Sequence, residues 1–201
     1  MGDGIRGRTA RECFDTFVNH LNPLVQATLP TKVPLEVVVL EGQLMTAALG
    51  FRGTHTIPLP TKHGRVYFHL AQSLACIEDK KQSASARFRL STRQYWYRLQ
   101  RDDGQSDALL RWEYLSPTLP VYKDHGKRWC WRHIQMPHVV SMPHGELNFN
   151  KIHMPSGYVV IEDVIRFLIT DLGVKPPCGK TTWHQKLVDS EKKFFREFNA
   201  R

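Results

Sequence analysis

No stretch of this sequence approaches the ~20 consecutive apolar residues that a membrane-spanning helix needs. The longest apolar runs, at 37–40 and 45–49, are strand-sized. The first residues lack the apolar segment of a signal peptide, so a cytoplasmic protein with no membrane partner is expected. Cysteine is scarce and scattered: Cys13, Cys76, Cys130 and Cys178 form no Cys-x-x-Cys pair. That argues against a zinc ribbon or finger and, without a secretion signal, against a disulfide framework. Mononucleotide signals are absent too, with no Gly-x-x-x-x-Gly-Lys and no Gly-x-Gly-x-x-Gly opening a helix. There is no Gly-x-Ser-x-Gly elbow and no His-Glu-x-x-His pair. Acidic residues are outnumbered, 19 Asp and Glu against 28 Lys and Arg, for a formal net charge of +9. In the β-rich middle, Glu113 is the only acid inside an expected strand, so the converging carboxylates of a two-metal nuclease are missing. No metal and no cofactor are expected.

What is present is one domain's worth of chain. Its 201 residues, 41% hydrophobic and 23% charged, have ordinary globular composition and suffice for a real core. The sequence reads as a single α+β domain over 1–201 in three stretches. The first, 1–81, is a helix-hairpin-helix stretch. Thr9 and Glu12 have capping-box spacing, and Phe14, Phe17, Val18 and Leu21 follow at helical spacing, predicting a helix over 9–21 that stops before Pro23. Two strands follow, 35–40 and 44–51, then a loop over 53–64. A second helix is expected over 66–80, with Tyr67, Leu70, Ala71, Leu74 and Ile77 on one face. The second stretch, 83–140, is a β-meander with strands near 86–90, 94–100, 108–115 and 128–136. The Asp103-Gly104 turn signal lies between the middle pair. The third, 141–201, is helical: Ile161, Val164, Ile165, Leu168 and Leu172 give an amphipathic series, and a last helix begins near Thr182. Together these predict an antiparallel β-sheet of four to six strands packed against N-terminal and C-terminal helices.

The charge points to a polyanionic partner, foremost nucleic acid. The histidines point to chemistry. Ten are present, and His133, His138, His144 and His153 crowd one short window. Histidine gives and takes protons near neutral pH. RNA can be cleaved without metal by a base on the 2′-hydroxyl and an acid on the leaving oxygen, with cations stabilising the phosphorane. His133, His138 and His144 are therefore the candidate catalytic residues, with His133 and His138 as the acid–base pair. Arg98, Arg111, Arg132 and Trp131 are the candidate nucleic-acid contacts, because arginine interleaved with aromatics can hold phosphate while a ring stacks on an unpaired base. The bland alternative is a sheet whose aromatics form core and whose arginines pair across strands with Glu113. Strand alternation also places Arg132 and His133 on opposite faces unless a bulge intervenes.

The order of features over 95–172 resembles the TumE family of toxins from prokaryotic toxin–antitoxin modules. Tyr97-Arg98-Leu99 stands for the family's aromatic-Arg strand, and Arg111-Trp112-Glu113-Tyr114 for its Arg-x-x-Tyr-like strand. Arg132-His133 with His138 stands for its histidine-rich segment, followed by the amphipathic helix. The family's tighter histidine cluster is spread here into His133-Ile134-Gln135-Met136-Pro137-His138, and the first 80 residues have no counterpart. The resemblance implies a small cytoplasmic protein acting on RNA, more than on DNA, and neutralised by a protein partner. The expected function is thus a nucleic-acid-directed effector of toxin–antitoxin or defence type, with metal-independent ribonuclease chemistry. The rival is a non-enzymatic basic module, an accessory subunit docking nucleic acid or an acidic protein.

Overall fold

A computed structural model describes residues 5–40, 45–104, 108–116, 132–136, 139–142, 145–148 and 154–194. The fold is α+β, as the sequence predicts. Helix α1 (Ala10–Thr28) starts where the capping box puts it, with the Glu12 amide donating to Thr9 Oγ1 at 3.1 Å. It does not stop before Pro23 but runs on to Thr28. Proline inside a helix costs about 3 kcal/mol. Leu24 and Val25, buried just beyond it, return about 1.5–3 kcal/mol each, so packing overrides the local breaker. Asn22 then ties the helix to the sheet: its side chain donates to the Leu35 carbonyl at 3.0 Å and accepts from the Leu35 amide at 2.6 Å.

The strands are β1 (Arg6–Gly7), β2 (Leu35–Val39), β3 (Thr46–Phe51), β4 (Thr56–Thr61), β5 (Gly64–Glu78), β6 (Phe88–Gln100), β7 (Leu110–Leu115), β8 (Arg132–Gln135), β9 (Val139–Met142), β10 (Gly145–Asn148) and β11 (Met154–Pro155). Nine of them form one sheet in the order β11-β8-β7-β6-β5-β3-β2, with β1 added on β6 and β4 on β5; β9 and β10 pair separately. The described pairings are antiparallel. The sheet therefore exceeds the four to six strands expected.

Two of the extra strands correct sequence readings. The helix expected over 66–80 is the long strand β5. Its residues carry both periods, but the strand buries Phe68, Leu70, Leu74 and Cys76 in alternation on one face, with Ala75 the one buried residue out of step. Gln72 hid that alternation; it is buried in the same series because its amide donates to the Tyr97 hydroxyl at 2.7 Å. The loop expected over 53–64 contains β4, which buries Ile57 and Leu59 and exposes Pro58 and Pro60. In its ladder with β5 the two prolines take the outward edge, where a missing N–H costs nothing. The 83–140 stretch also merges its first two strands into β6, with a register shift opposite Ser73 and Leu74 that makes Arg93 a bulge. Before it Leu90 and Thr92 are buried; after it Tyr95, Tyr97 and Leu99 are.

Helices α2 (Ile161–Thr170) and α3 (Thr182–Phe194) follow. The buried apolar residues of α2, Ile161, Val164, Ile165 and Leu168, are the members of the predicted series that fall within it, and Glu162 is buried beside them. With α1 they pack on one sheet face, here the inner face, through Trp112 edge-on to Phe167 at 5.5 Å and Tyr95 edge-on to Tyr158 at 5.5 Å. The opposite, outer face carries the remaining parity. No helix among the described residues is long and apolar enough to cross a membrane.

Candidate nucleic-acid interface

The outer face of the central strands is polar and charged because every second residue of β5 to β8 points there. Two cross-strand rows stand out. One runs His69, Arg98, Arg111, Gln135 from β5 to β8; the next runs Ala71, Trp96, Glu113, His133. Side chains directly opposite sit about 5 Å apart at Cβ, so each row is a contact series.

Arg98 and Arg111 thus face each other as like charges, which is destabilising on its own. Glu113 compensates. Its Oε1 lies 3.6 Å from Arg98 and 3.9 Å from Arg111, and its Oε2 accepts from His133 Nε2 at 3.2 Å. Burial pushes the Glu113 carboxyl up, but the His133 hydrogen bond and the charges of Arg111 and Arg98 together outweigh it and hold the group below its ordinary value. Exposure falls along the series: side chains are 35% exposed at Arg98, 25% at Arg111, 18% at Glu113 and 7% at His133. The arginines are the accessible part and the histidine is the floor. Two guanidinium groups lie against the same carboxylate oxygen.

Three predicted residues, Arg98, Arg111 and His133, therefore meet around Glu113. Arg132 does not join them. The β7–β8 register runs without interruption, so no bulge turns Arg132 towards His133. It lies on the inner face, its guanidinium 5.9 Å from the Tyr114 ring centre and 5.7 Å from that of Tyr158. This is a cation–π contact with core aromatics. Trp131, His138 and His144 lie outside the described residues, as do His153, Cys130 and the 128–131 part of the expected strand.

The sequence reading missed His69. It was hidden in the segment read as a helix; with β5 as a strand it falls opposite Arg98. Burial first, then the charges of Arg98 and His55, lower its pKa to about 4. Trp96 was visible in the aromatic strand but not singled out; it lies half-buried between Ala71 and Glu113.

A second polar cluster joins the helices. His20 Nε2 lies 2.9 Å from Ser190 Oγ, which donates to the buried Glu162 carboxylate. A nucleophilic triad needs the histidine between serine and acid, so that the ring accepts the serine proton. Here serine is in the middle and its proton goes to the carboxylate, so this is a structural relay. Among the described residues, no three His, Cys, Asp or Glu side chains come close enough to hold a metal ion. No family model, curated protein or solved structure matches the chain.

Proposed function

We propose that the protein is a nucleic-acid-directed effector that engages RNA on the outer sheet face. The observation that supports this most is Arg98 set directly opposite Arg111 on the outer face, with both guanidinium groups partly exposed beside Glu113. Two adjacent, partly exposed guanidinium groups suit phosphodiester oxygens, which arginine binds in a bidentate manner. In this reading the protein works in the cytoplasm, and an acidic protein partner of antitoxin type competes for the same face.

The ribonuclease form of the proposal assigns chemistry to His133. Its Nε2–H donates to Glu113, which leaves Nδ1 as the basic nitrogen. That nitrogen takes the 2′-hydroxyl proton; the 2′-oxygen attacks phosphorus, the P–O5′ bond breaks, and a second acid returns a proton to the leaving oxygen. His138 is the proposed acid, and Arg98 and Arg111 stabilise the added negative charge on the phosphorane. The binding-module reading draws on a different observation: His133 is almost fully buried.

The test is purified protein with labelled single-stranded RNA, single-stranded DNA and duplex DNA, with and without chelator. RNA cleavage that survives chelator and is lost in His133→Ala supports the ribonuclease. Binding without turnover, weakened in Arg98→Gln and Arg111→Gln by about 1–3 kcal/mol each, supports the module. Absence of both binding and cleavage overturns the nucleic-acid reading and turns the search to a protein partner.

A further inference from the structure

Among the outer-face nitrogens shielded from water without a hydrogen-bond partner among the described residues are His69 Nδ1 and Arg98 Nε. The strand register sets their side chains directly opposite each other, with Arg111 next in the row. Glu113 meets Arg98 through the terminal Nη2, so it does not serve the Nε donor. An arginine Nε can only donate, and a buried donor left unmade costs about 1–3 kcal/mol. Two such groups side by side at the edge of a positively charged cluster mark the place of an absent acceptor.

We propose that His69 and Arg98, flanked by Arg111, form a subsite for a phosphoryl oxyanion. Its source, the terminal phosphate or an internal phosphodiester of an RNA strand, rests on the nucleic-acid reading above; the oxyanion chemistry rests on the two nitrogens. Arg98 Nε donates to one oxygen and His69 Nδ1–H to another. The charged groups facing His69 are Arg98 on β6 and His55 ahead of β4, with Arg111 and Glu113 one strand further on β7. In the free protein burial, Arg98 and His55 keep the ring neutral at pH 7. An oxyanion seated against it opposes all three effects and draws a proton onto the ring. Anion binding is therefore coupled to proton uptake and strengthens as pH falls.

The experiment uses the full chain. Its histidine ring signals are followed by NMR during titration with inorganic phosphate and with sulfate, whose charge is constant between pH 5.5 and 8. The expected result is movement of the His69 signals and sulfate binding about tenfold tighter at pH 5.5 than at pH 8, a change of about one pKa step. His69→Gln removes that pH dependence, and Arg98→Gln weakens sulfate about tenfold or more. His69 signals that stay in place up to on the order of tens of millimolar of either anion overturn the subsite, with no variant needed. Oligoribonucleotides with and without a 5′-phosphate then identify the source. If they bind while His69 stays silent, the subsite fails and the wider face stands. If sulfate moves His69 but no oligonucleotide binds, the subsite stands and the nucleic-acid reading fails.

Discussion

Glu113 decides the character of the outer face. One carboxylate holds His133 by a hydrogen bond and lies between two arginines that would otherwise repel. Replacing it with glutamine keeps the shape and removes the charge. Glu113→Gln is expected to lower stability by about 1–3 kcal/mol, read as a shift in denaturant midpoint, and, if the proposed interface holds, to tighten RNA binding because a negative charge beside the arginines is removed. A variant as stable as the parent would show that the arginines need no counter-charge. The pH sign follows from the same geometry. The folded carboxyl titrates below its ordinary 4.5, so the stability it lends is present above that pH and is lost as pH falls through the folded value. Much of this residue scale was legible: alternation alone separated Arg132 from His133, and Arg98 and Arg111 stood out as strand arginines. Which acid would meet them, and that His69 would stand beside them, depended on register across four strands.

At the scale of elements, the helix-packing relay runs from α3 to α1 and back. Lys193 lies 3.4 Å from His20 Nδ1, His20 Nε2 meets Ser190, and Ser190 donates to Glu162. Burial raises Glu162 to about 7 against an ordinary 4.5, although the Ser190 hydrogen bond opposes it. A carboxyl with a raised folded pKa carries no penalty below 4.5, accumulates one between 4.5 and 7, and keeps it above. Glu162→Gln retains the acceptor for Ser190 and removes the charge. It is expected to be more stable than the parent at pH 8 by on the order of 3 kcal/mol and equal to it near pH 4, as measured by thermal or urea melts across pH. An equal offset at both pH values would show that ionisation of Glu162 is not what is being removed. The amphipathic α2 was legible because its 3.6-residue period is unbroken. Strand β5 was not, because Gln72 interrupts the apolar alternation and its partner Tyr97 lies on another strand.

For the whole molecule, charge and edges set behaviour. With a net charge of +9, association with RNA should be strongly salt-dependent. Two phosphate contacts, at Arg98 and Arg111, give a slope of about −1.4 for a single strand, so raising salt fourfold weakens binding roughly sevenfold. A salt-independent affinity would remove the electrostatic basis of the proposed interface. Acid acts on the whole fold through two histidines. Burial comes first in lowering both His20 and His69 to about 4; Lys193 adds to it at His20, and Arg98 and His55 add to it at His69. Groups with depressed histidine pKa values cost stability as pH falls from 6.5 towards 4, where folding must hold them neutral. That loss opposes the gain from Glu162 over the same window, so the parent protein is expected to show a flatter stability profile there than Glu162→Gln, whose stability should fall visibly on acidification.

Composition and local pattern by themselves determined the α+β class, the capped start of α1, the α2 face, the hairpin of β2 and β3, and a basic, aromatic middle with arginines at strand positions. These follow from forces between residues close in the chain: caps, turn chemistry and the period of burial. Only the tertiary structure decided that α1 passes through Pro23, that 64–78 is a strand, and that His69, Arg98, Arg111, Glu113 and His133 share a face. Each of these turns on burial or pairing with residues distant in sequence, where a few kcal/mol of packing or a buried hydrogen bond outweighs the local preference.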